Sequence, residues 1–175
     1  WAKGGTEVKW HQDAPFFPHT NSAVLTVGTY LYDCGMEQGP LAVIPGSHET
    51  EIFDHYDAEG NWRGYIGDED LARIDLKAVE YLCGSAGSLT LHNYRTVHGS
   101  EPNRSDLGRP LLLNVMSAAD AMPYTFNPLA TRYYQKCIRG RPAKWAHHDP
   151  RSCLIPPDWS GGYTSIFDIQ QSAAE

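Results

Sequence analysis

The sequence predicts a mainly β fold, either an antiparallel sandwich or a jelly roll. Short segments rich in β-branched and aromatic residues alternate with turns that contain Gly and Pro. A persuasive helical pattern occurs in one stretch, and no internal repeat is found. Many short strands with little helix are typical of two packed antiparallel sheets. The length of 175 residues suits one domain with a real hydrophobic core.

The first part of the chain contains five predicted strands. Residues 6–10 form a short strand that leads into a His-Gln-Asp motif, and residues 23–32 alternate apolar and polar positions. Residues 41–44 are an apolar run that a Pro-Gly pair ends. Residues 78–83 and 88–92 flank a Gly-Ser-Ala-Gly turn, a pattern typical of a β-hairpin.

The rest of the chain contains one predicted helix and one further strand. Residues 68–77 begin with acidic side chains, which favour a helix N-terminus. Residues 111–117 (LLLNVMS) predict the most convincing core strand. The polar and aromatic segment 49–67 predicts an insertion between strands. The tail after Pro123 is rich in Pro, Gly and aromatic residues, so we expect it to wrap the core as loops and short strands.

The composition argues against several classes of function. A formal net charge of -7 disfavours nucleic acid or an anionic membrane as a partner, because both attract a basic surface. No apolar run is long enough for a transmembrane helix, and the first residues lack the apolar stretch of a secretory signal. The four cysteines have no zinc-binding spacing. We therefore expect a cytoplasmic protein that binds neither nucleic acid nor membranes.

The most informative residues are His11, Asp13 and His98. Residues two apart share one side of a strand, so His11 and Asp13 face the same way. His98 is followed by Gly99 and Ser100, a small and permissive corner after a strand. Two histidines and one carboxylate on one face of Fe(II) leave positions open for a co-substrate and O₂, as a non-haem oxygenase needs. Each part alone is more often unrelated to metal, and only the combination points to an oxygenase.

Arg109 adds an independent observation. It lies eleven residues after His98 and precedes the most apolar predicted strand, where an unpaired guanidinium would be costly. Arg109 therefore pairs either with an internal acid or with a ligand carboxylate, which a guanidinium can bind through two parallel hydrogen bonds. The hydroxyl of Ser100 can donate to the same carboxylate.

These motifs resemble the phytanoyl-CoA dioxygenase family of Fe(II)/2-oxoglutarate-dependent oxygenases. The matching segments are WHQD at residues 10–13, GPLAVIPGSH at 39–48, GSLTLHNYRTVHGSEPN at 87–103, and Arg109 after them. The resemblance covers about the first 120 residues, and the interval between His98 and Arg109 fits the family pattern. It implies a double-stranded β-helix, the cupin-like jelly roll, with a few peripheral helices and a loop-rich C-terminal tail.

The resemblance also implies roles for individual residues. His11, Asp13 and His98 would bind Fe(II) and form the catalytic centre, while Arg109 and Ser100 would bind the distal carboxylate of 2-oxoglutarate. The implied reaction is hydroxylation of a small organic substrate, with 2-oxoglutarate and O₂ converted to succinate and CO₂. Related halogenases carry a small residue in place of the carboxylate, so the presence of Asp13 indicates hydroxylation or a related oxidation.

Family members also carry further residues before the H-x-D motif. We therefore expect residues 1–175 to form a single oxygenase domain that lacks an N-terminal portion. In this interpretation residues 1–120 are the core, and residues 121–175 are a C-terminal segment that wraps it.

Five residues near the ligands in sequence are candidates for the wall of the substrate pocket. They are Gln12, Phe17, His19, Asn93 and Tyr94. Asn93 lies on an apolar strand, where a buried polar group needs a partner, so hydrogen bonding within the core is an equal alternative. His92 also precedes His98 closely, and we expect it in the sheet or behind the ligands.

Two other functions are compatible with a jelly roll. A cupin-like metal-dependent sugar-binding protein or isomerase would use the same fold, but would neither need Arg109 nor release succinate. A non-catalytic jelly-roll binding domain would not need to keep His11, Asp13 and His98 together. The complete set of residues favours the oxygenase.

Overall fold

Seven strands form two antiparallel sheets in the part of the chain that the computed structural model describes, residues 5–129, 131–163 and 165–173. The strands are β1 (Val8–His11), β2 (Val24–Tyr30), β3 (Leu41–Val43), β4 (Glu80–Tyr81), β5 (Leu89–Asn93), β6 (His98–Ser100) and β7 (Leu111–Ser117). The first sheet has the order β1-β6-β3-β4 and the second the order β5-β2-β7. This architecture confirms the prediction of a mainly β jelly-roll fold.

The strand β2 shows the alternation that its sequence predicts. Alternate residues from Val24 to Tyr30 are buried, and the residues between them are half-buried, so one face of the strand points inward. Tyr30 connects the two sheets, because its hydroxyl donates to the Leu82 carbonyl at 2.7 Å and accepts from the Leu41 amide at 3.3 Å. The sheets therefore enclose a common interior.

A β-bulge sets the register between β1 and β6. Val8 pairs with Ser100 and His11 pairs with His98, so β1 uses one residue more than β6 over this span. Gly99 lies opposite the bulge, where a Cβ atom would stand 2.8 Å from the Val8 carbonyl oxygen. A side chain at position 99 would push the two strands apart, which explains the glycine after His98.

The predicted hairpin across residues 78–92 is wrong. The strand β4 pairs with β3, whereas β5 pairs with β2, so the two segments lie in different sheets. The turn between them crosses from one sheet to the other, where Gly84 exchanges hydrogen bonds with Cys34 and the Gly87 amide donates to the Tyr30 carbonyl. A Gly-rich turn shows where the chain reverses, but long-range pairing decides the partner of each strand.

The strand β7 lies where it is predicted, but it is not a core strand. Leu111 is half-buried, and the other residues of β7 are exposed, with Leu112 at 52% and Leu113 at 56%. The strand pairs along one edge with β2, and among the described residues neither of its faces is covered. Apolar residues favour burial, but a strand is buried only where another layer of the structure covers its face.

The prediction of a helix over residues 68–77 is correct only at its start. The helix α1 spans Asp68–Leu71, and a separate 3-10 turn follows at Leu76–Ala78. Asp75 begins that turn, because its side chain accepts a hydrogen bond from the Lys77 amide at 3.0 Å. An aspartate that bonds to the nearby backbone competes with continuation of a helix.

The C-terminal segment contains a helix where we expect loops and short strands. This helix, α2 (Ile166–Ser172), packs against β1. Its buried Gln170 accepts from the Lys9 amide and donates to the Gly64 carbonyl, both at 2.9 Å. In the described part of the chain, neither helix has the length and apolar character needed to cross a membrane.

The insertion at residues 49–67 supports the H-x-D motif from outside the sheets. His55 is fully buried, donates from Nδ1 to the Phe53 carbonyl at 2.9 Å and accepts the Gln12 amide proton on Nε2 at 3.1 Å. Its ring stacks on Trp62. These two hydrogen bonds require a neutral ring, and burial lowers the pKa of His55 to about 4.

We expect His55 to make the fold less stable as pH falls from about 6.5 to 4. A histidine in an unfolded chain has a pKa of about 6.5, whereas the folded ring binds a proton only near pH 4. In this window the unfolded state holds more protons, so the free energy of unfolding falls by roughly 3 kcal/mol through this residue. Urea unfolding of wild type and His55→Gln between pH 7 and 4.5 measures the effect. Equal pH slopes for the two proteins would contradict it.

Candidate metal centre

The end of β1 and the start of β6 bring His11, Asp13 and His98 together. The register places His11 opposite His98, with ring centroids 4.1 Å apart. Oδ1 of Asp13 lies 3.9 Å from Nε2 of His11 and 3.7 Å from Nε2 of His98. The three donor atoms lie within 4.8 Å of one another, so one metal ion can contact all of them. No other His, Cys, Asp or Glu group in the described ranges is arranged in this way.

Backbone hydrogen bonds orient both imidazoles of this cluster. Nδ1 of His11 donates to the Lys9 carbonyl at 2.9 Å, and Nδ1 of His98 donates to the Thr96 carbonyl at 2.8 Å. A carbonyl can only accept, so the proton lies on Nδ1 and the lone pair lies on Nε2. Histidine ligands in metal sites are commonly oriented by such a bond on the second nitrogen.

The protonation states of the cluster also suit a metal ion. Burial lowers the pKa of His98 to about 4, with a further contribution from His92, and burial and His98 lower the pKa of His11. Burial alone would raise the pKa of Asp13, but the surrounding histidines, His98 first, hold that pKa below its usual range. At neutral pH the cluster therefore consists of two neutral imidazoles and a carboxylate, the forms that bind metal.

The opposite sheet holds the second carboxylate oxygen of Asp13. The buried Thr26 hydroxyl, on the inward face of β2, donates to Asp13 Oδ2 at 2.7 Å. Oδ1 is thereby left facing the two histidines, since hydrogen bonds of this kind fix the direction of a metal-binding carboxylate. Thr26 is not among the residues predicted from the sequence, where its signal is a polar residue at an inward position of an otherwise apolar face.

His92 lies in the sheet behind the ligands, as we expect from the sequence. It is on the inward face of β5, with Nε2 3.7 Å from Asp13 Oδ2 and its ring centroid 4.5 Å from that of His98. The distance to Asp13 exceeds hydrogen-bonding reach. Neither ring nitrogen of His92 has a hydrogen-bond partner among the described residues.

Arg109 and Ser100 meet in the same interior. Nη2 of Arg109 donates to the Ser100 hydroxyl at 3.3 Å. Nε of Arg109 is buried without a hydrogen-bond partner in the described part of the chain. None of the ion pairs formed there by an acid contains Arg109. Of the two alternatives for Arg109, the geometry favours a ligand carboxylate over an internal acid.

Two of the residues considered for the pocket wall have structural hydrogen bonds. Gln12 is fully buried, donates to the Arg95 carbonyl at 2.7 Å and accepts from the Phe53 amide at 2.9 Å. Asn93 donates to the Ser22 carbonyl at 2.7 Å. Hydrogen bonding within the fold therefore accounts for both side chains, and a contact of either with substrate stays a prediction.

The other three residues considered for the wall form a cluster of rings. The ring of His19 lies 6.2 Å from that of Phe17 and 5.9 Å from that of Tyr94. His19 and Tyr94 also line a depression of about 40 Å³ beside Arg151. Their role in substrate binding stays a prediction.

The C-terminal segment also approaches the cluster, which is not predicted from the sequence. Burial raises the pKa of Tyr163 to about 12, and the nearby charge of Asp13 contributes to the rise. The Tyr163 ring packs edge-on against Trp159 at 5.2 Å. A groove of about 360 Å³ beside β1 is lined in part by Trp10, Tyr65 and Ser100, but by none of the three residues of the cluster.

Comparison with known proteins gives three findings on relatives. The model of the family described as phytanoyl-CoA dioxygenase (PhyH) matches residues 2–111. The chain is 41% identical to a probable alpha-ketoglutarate-dependent hypophosphite dioxygenase of Stutzerimonas stutzeri, over 98% of this chain and 60% of that protein. It is 29% identical to an ectoine dioxygenase of Bordetella parapertussis, over 77% of this chain and 51% of that protein.

A solved structure of a protein complexed with 2-oxoglutarate is similar to this fold. EvdO2 from Micromonospora carbonacea var. aurantiaca, complexed with 2-oxoglutarate, matches with a TM-score of 0.51 and 25% identity. The match covers 70% of this chain and 51% of EvdO2. The chain thus spans only 60% and 51% of the length of the two curated relatives.

We expect His98→Ala to abolish stoichiometric Fe(II) binding while the protein stays folded. Two ligands cannot hold the ion from one face as three do, and the truncated ring makes no long-range hydrogen bond. Anaerobic calorimetric titration with Fe(II), with circular dichroism of the same sample, measures both properties. His48→Ala is the matched control, because His48 is a part-exposed histidine outside the cluster. Unchanged iron stoichiometry in His98→Ala would remove His98 from the ligand set.

Proposed function

Because the chain belongs to the phytanoyl-CoA dioxygenase family, we propose that it is a non-haem Fe(II)- and 2-oxoglutarate-dependent dioxygenase that oxidises a small molecule. One observation carries the proposal: the cluster of His11, Asp13 and His98 shares an interior with a guanidinium that lacks an acidic partner among the described residues. This combination is suited to binding a metal together with an anionic co-substrate.

The residues of the cluster fit Fe(II). His11, Asp13 and His98 would hold it from one side through Nε2, Oδ1 and Nε2, the donor atoms that face one another. Iron bound with 2-oxoglutarate supplies an oxidant derived from O₂, with release of succinate and CO₂. The protein's part is to keep the ligands in place. The Nδ1 hydrogen bonds hold both rings, and Thr26 holds the carboxylate.

Arg109 and Ser100 fit the distal carboxylate of 2-oxoglutarate. The buried Nε of Arg109 lacks the acceptor that a carboxylate would supply, and a guanidinium can donate from Nε and Nη in parallel. The Ser100 hydroxyl lies 3.3 Å from Arg109 Nη2 and can donate to the same group. In this arrangement the co-substrate satisfies a buried polar group that the described part of the fold leaves unsatisfied.

The relatives suggest the class of substrate. The curated relatives are named for hypophosphite and for ectoine, both small and polar. We place hypophosphite first, because its dioxygenase is 41% identical over 98% of this chain. Hypophosphite is inorganic, so this proposal widens the expectation of an organic substrate that the sequence gives.

The two alternative functions make a different demand on Arg109. A cupin-like isomerase or sugar-binding protein, and a binding domain without catalysis, have no use for a carboxylate-binding guanidinium near the metal. Neither consumes 2-oxoglutarate. Production of succinate that depends on a second substrate therefore separates the proposed dioxygenase from both.

We expect Fe(II)-loaded protein to convert 2-oxoglutarate to succinate in the presence of O₂, and faster with its substrate. Hypophosphite, ectoine and L-proline form the first panel, with succinate and oxidised substrate measured by mass spectrometry. Metal-free protein and the His98→Ala variant are the controls. Succinate at the level of these controls, together with no anaerobic binding of 2-oxoglutarate, would overturn the proposed function.

Replacing Arg109 is expected to weaken binding of 2-oxoglutarate. Charge-assisted hydrogen bonds contribute roughly 1.5–3 kcal/mol each, so Arg109→Met should raise the dissociation constant by about tenfold or more. Affinity for Fe(II) alone should not change. Arg104→Met is the matched control, because Arg104 is an exposed arginine on the same segment, 3.4 Å from Glu101. An Arg109→Met protein that titrates like wild type would refute the assigned role.

A further inference from the structure

The inward face of β5 carries two buried polar side chains that the described part of the fold does not satisfy. Thr90 is 5% exposed and His92 is 7% exposed. The Thr90 hydroxyl and both ring nitrogens of His92 have no hydrogen-bond partner among the described residues. Leaving a buried donor unpaired destabilises a fold, so two such residues on one strand need an explanation.

The strand register places these residues between the metal cluster and Arg109. His92 lies opposite Thr26, whose hydroxyl holds Asp13, so it belongs to the metal end of the sheet. Thr90 lies opposite Gly28, one inward position further along. Successive inward positions on a strand are about 7 Å apart.

The next inward residue of β2 is Tyr30, which lies at the end of the sheet near Arg109, the arginine end. Tyr30 pairs with Leu111, two residues after Arg109. Burial raises the pKa of Tyr30 to about 12, and the nearby Arg109 charge partly offsets that rise. Thr90 is therefore the polar side chain of β5 between the metal end and the arginine end.

Gly28 keeps this middle position open. A Cβ atom at Gly28 would overlap the Thr90 hydroxyl and would stand 3.1 Å from Cδ1 of Leu111. A glycine inside a strand commonly marks a place where another group approaches the backbone closely. Here the glycine lets the Thr90 hydroxyl lie over β2, within the common interior.

We propose that His92 and Thr90 are positioning residues for 2-oxoglutarate, an inference that rests on the proposed function. His92 donates a ring N–H to the keto-acid end of the co-substrate, next to the metal. Thr90 donates its hydroxyl to the distal carboxylate, beside Arg109. A dicarboxylate has acceptors at both ends, so one molecule can accept hydrogen bonds from a ring N–H of His92, from the Thr90 hydroxyl and from Nε of Arg109.

Two variants and two keto acids test the two positions separately. Thr90→Val removes the hydroxyl at nearly constant volume, and His92→Phe removes both ring nitrogens. Thr29→Val is the matched control, because Thr29 lies on the outward, half-buried face of β2. Each Fe(II)-loaded protein is titrated anaerobically with 2-oxoglutarate and with 2-oxopentanoate, the five-carbon keto acid without a distal carboxylate. Fe(II) affinity without keto acid and thermal unfolding are measured alongside.

The proposal expects a distinct pattern for each variant. Thr90→Val should weaken binding of 2-oxoglutarate about tenfold and leave 2-oxopentanoate unchanged, because only the former reaches Thr90 with a carboxylate. His92→Phe should weaken both keto acids about tenfold, because they share the metal-binding end. Fe(II) affinity in the absence of keto acid should stay at the wild-type value in both variants.

Several outcomes would overturn the proposal. If both variants bind both keto acids as Thr29→Val does, the inference fails while the proposed function stands. If Thr90→Val weakens both keto acids equally, Thr90 does not contact the distal carboxylate. If wild-type protein with Fe(II) binds no 2-oxoglutarate, the proposed function fails and the inference fails with it. Should Thr90→Val or His92→Phe not fold, Thr90→Ala and His92→Leu replace them. Thr90→Ser is expected to retain wild-type affinity.

Discussion

The pairing of His11 with His98 across the β-bulge is the constraint on which the site depends. Side chains alternate between the faces of a strand, so a register shift of one residue would turn one imidazole away from the other. The extra residue of β1 allows Val8 to pair with Ser100 and His11 to pair with His98 within one short span. Gly99 permits the close approach of the bulged backbone. A local irregularity of the sheet thus positions two of the three residues of the candidate metal cluster.

The surroundings then fix what each ligand residue can do. Both imidazoles bond to a carbonyl two residues earlier, which leaves Nε2 free on the inner side. His55 also donates from Nδ1 to a carbonyl two residues earlier, but its Nε2 accepts the Gln12 amide proton. This second bond stabilises the H-x-D motif. The same local hydrogen bond therefore occurs in histidines whose Nε2 faces the candidate metal cluster and in a histidine whose Nε2 accepts a backbone proton.

The interior between the sheets contains buried polar groups that lack hydrogen-bond partners among the described residues. Thr90, His92 and Arg109 each have a buried atom without a partner among the described residues. Each such group costs stability in a protein that binds nothing there. Thr90 and His92 lie on the inward face of β5, so a ligand that reaches both the cluster and Arg109 would recover this cost. Departure from good core packing at a functional site is a general feature of proteins.

The sequence alone predicted the mainly β fold class and the candidate metal cluster of His11, Asp13 and His98, from short-range patterns together with the resemblance to a family. Alternation predicted β2, and the H-x-D motif put His11 and Asp13 on one side of a strand end. Tertiary structure decided the partners of β4 and β5, the exposure of β7 and the contact of Thr26 with Asp13. These features arise from contacts between segments that are far apart in the chain. Periodicity reports the face of a residue, but it does not report which other segment covers that face.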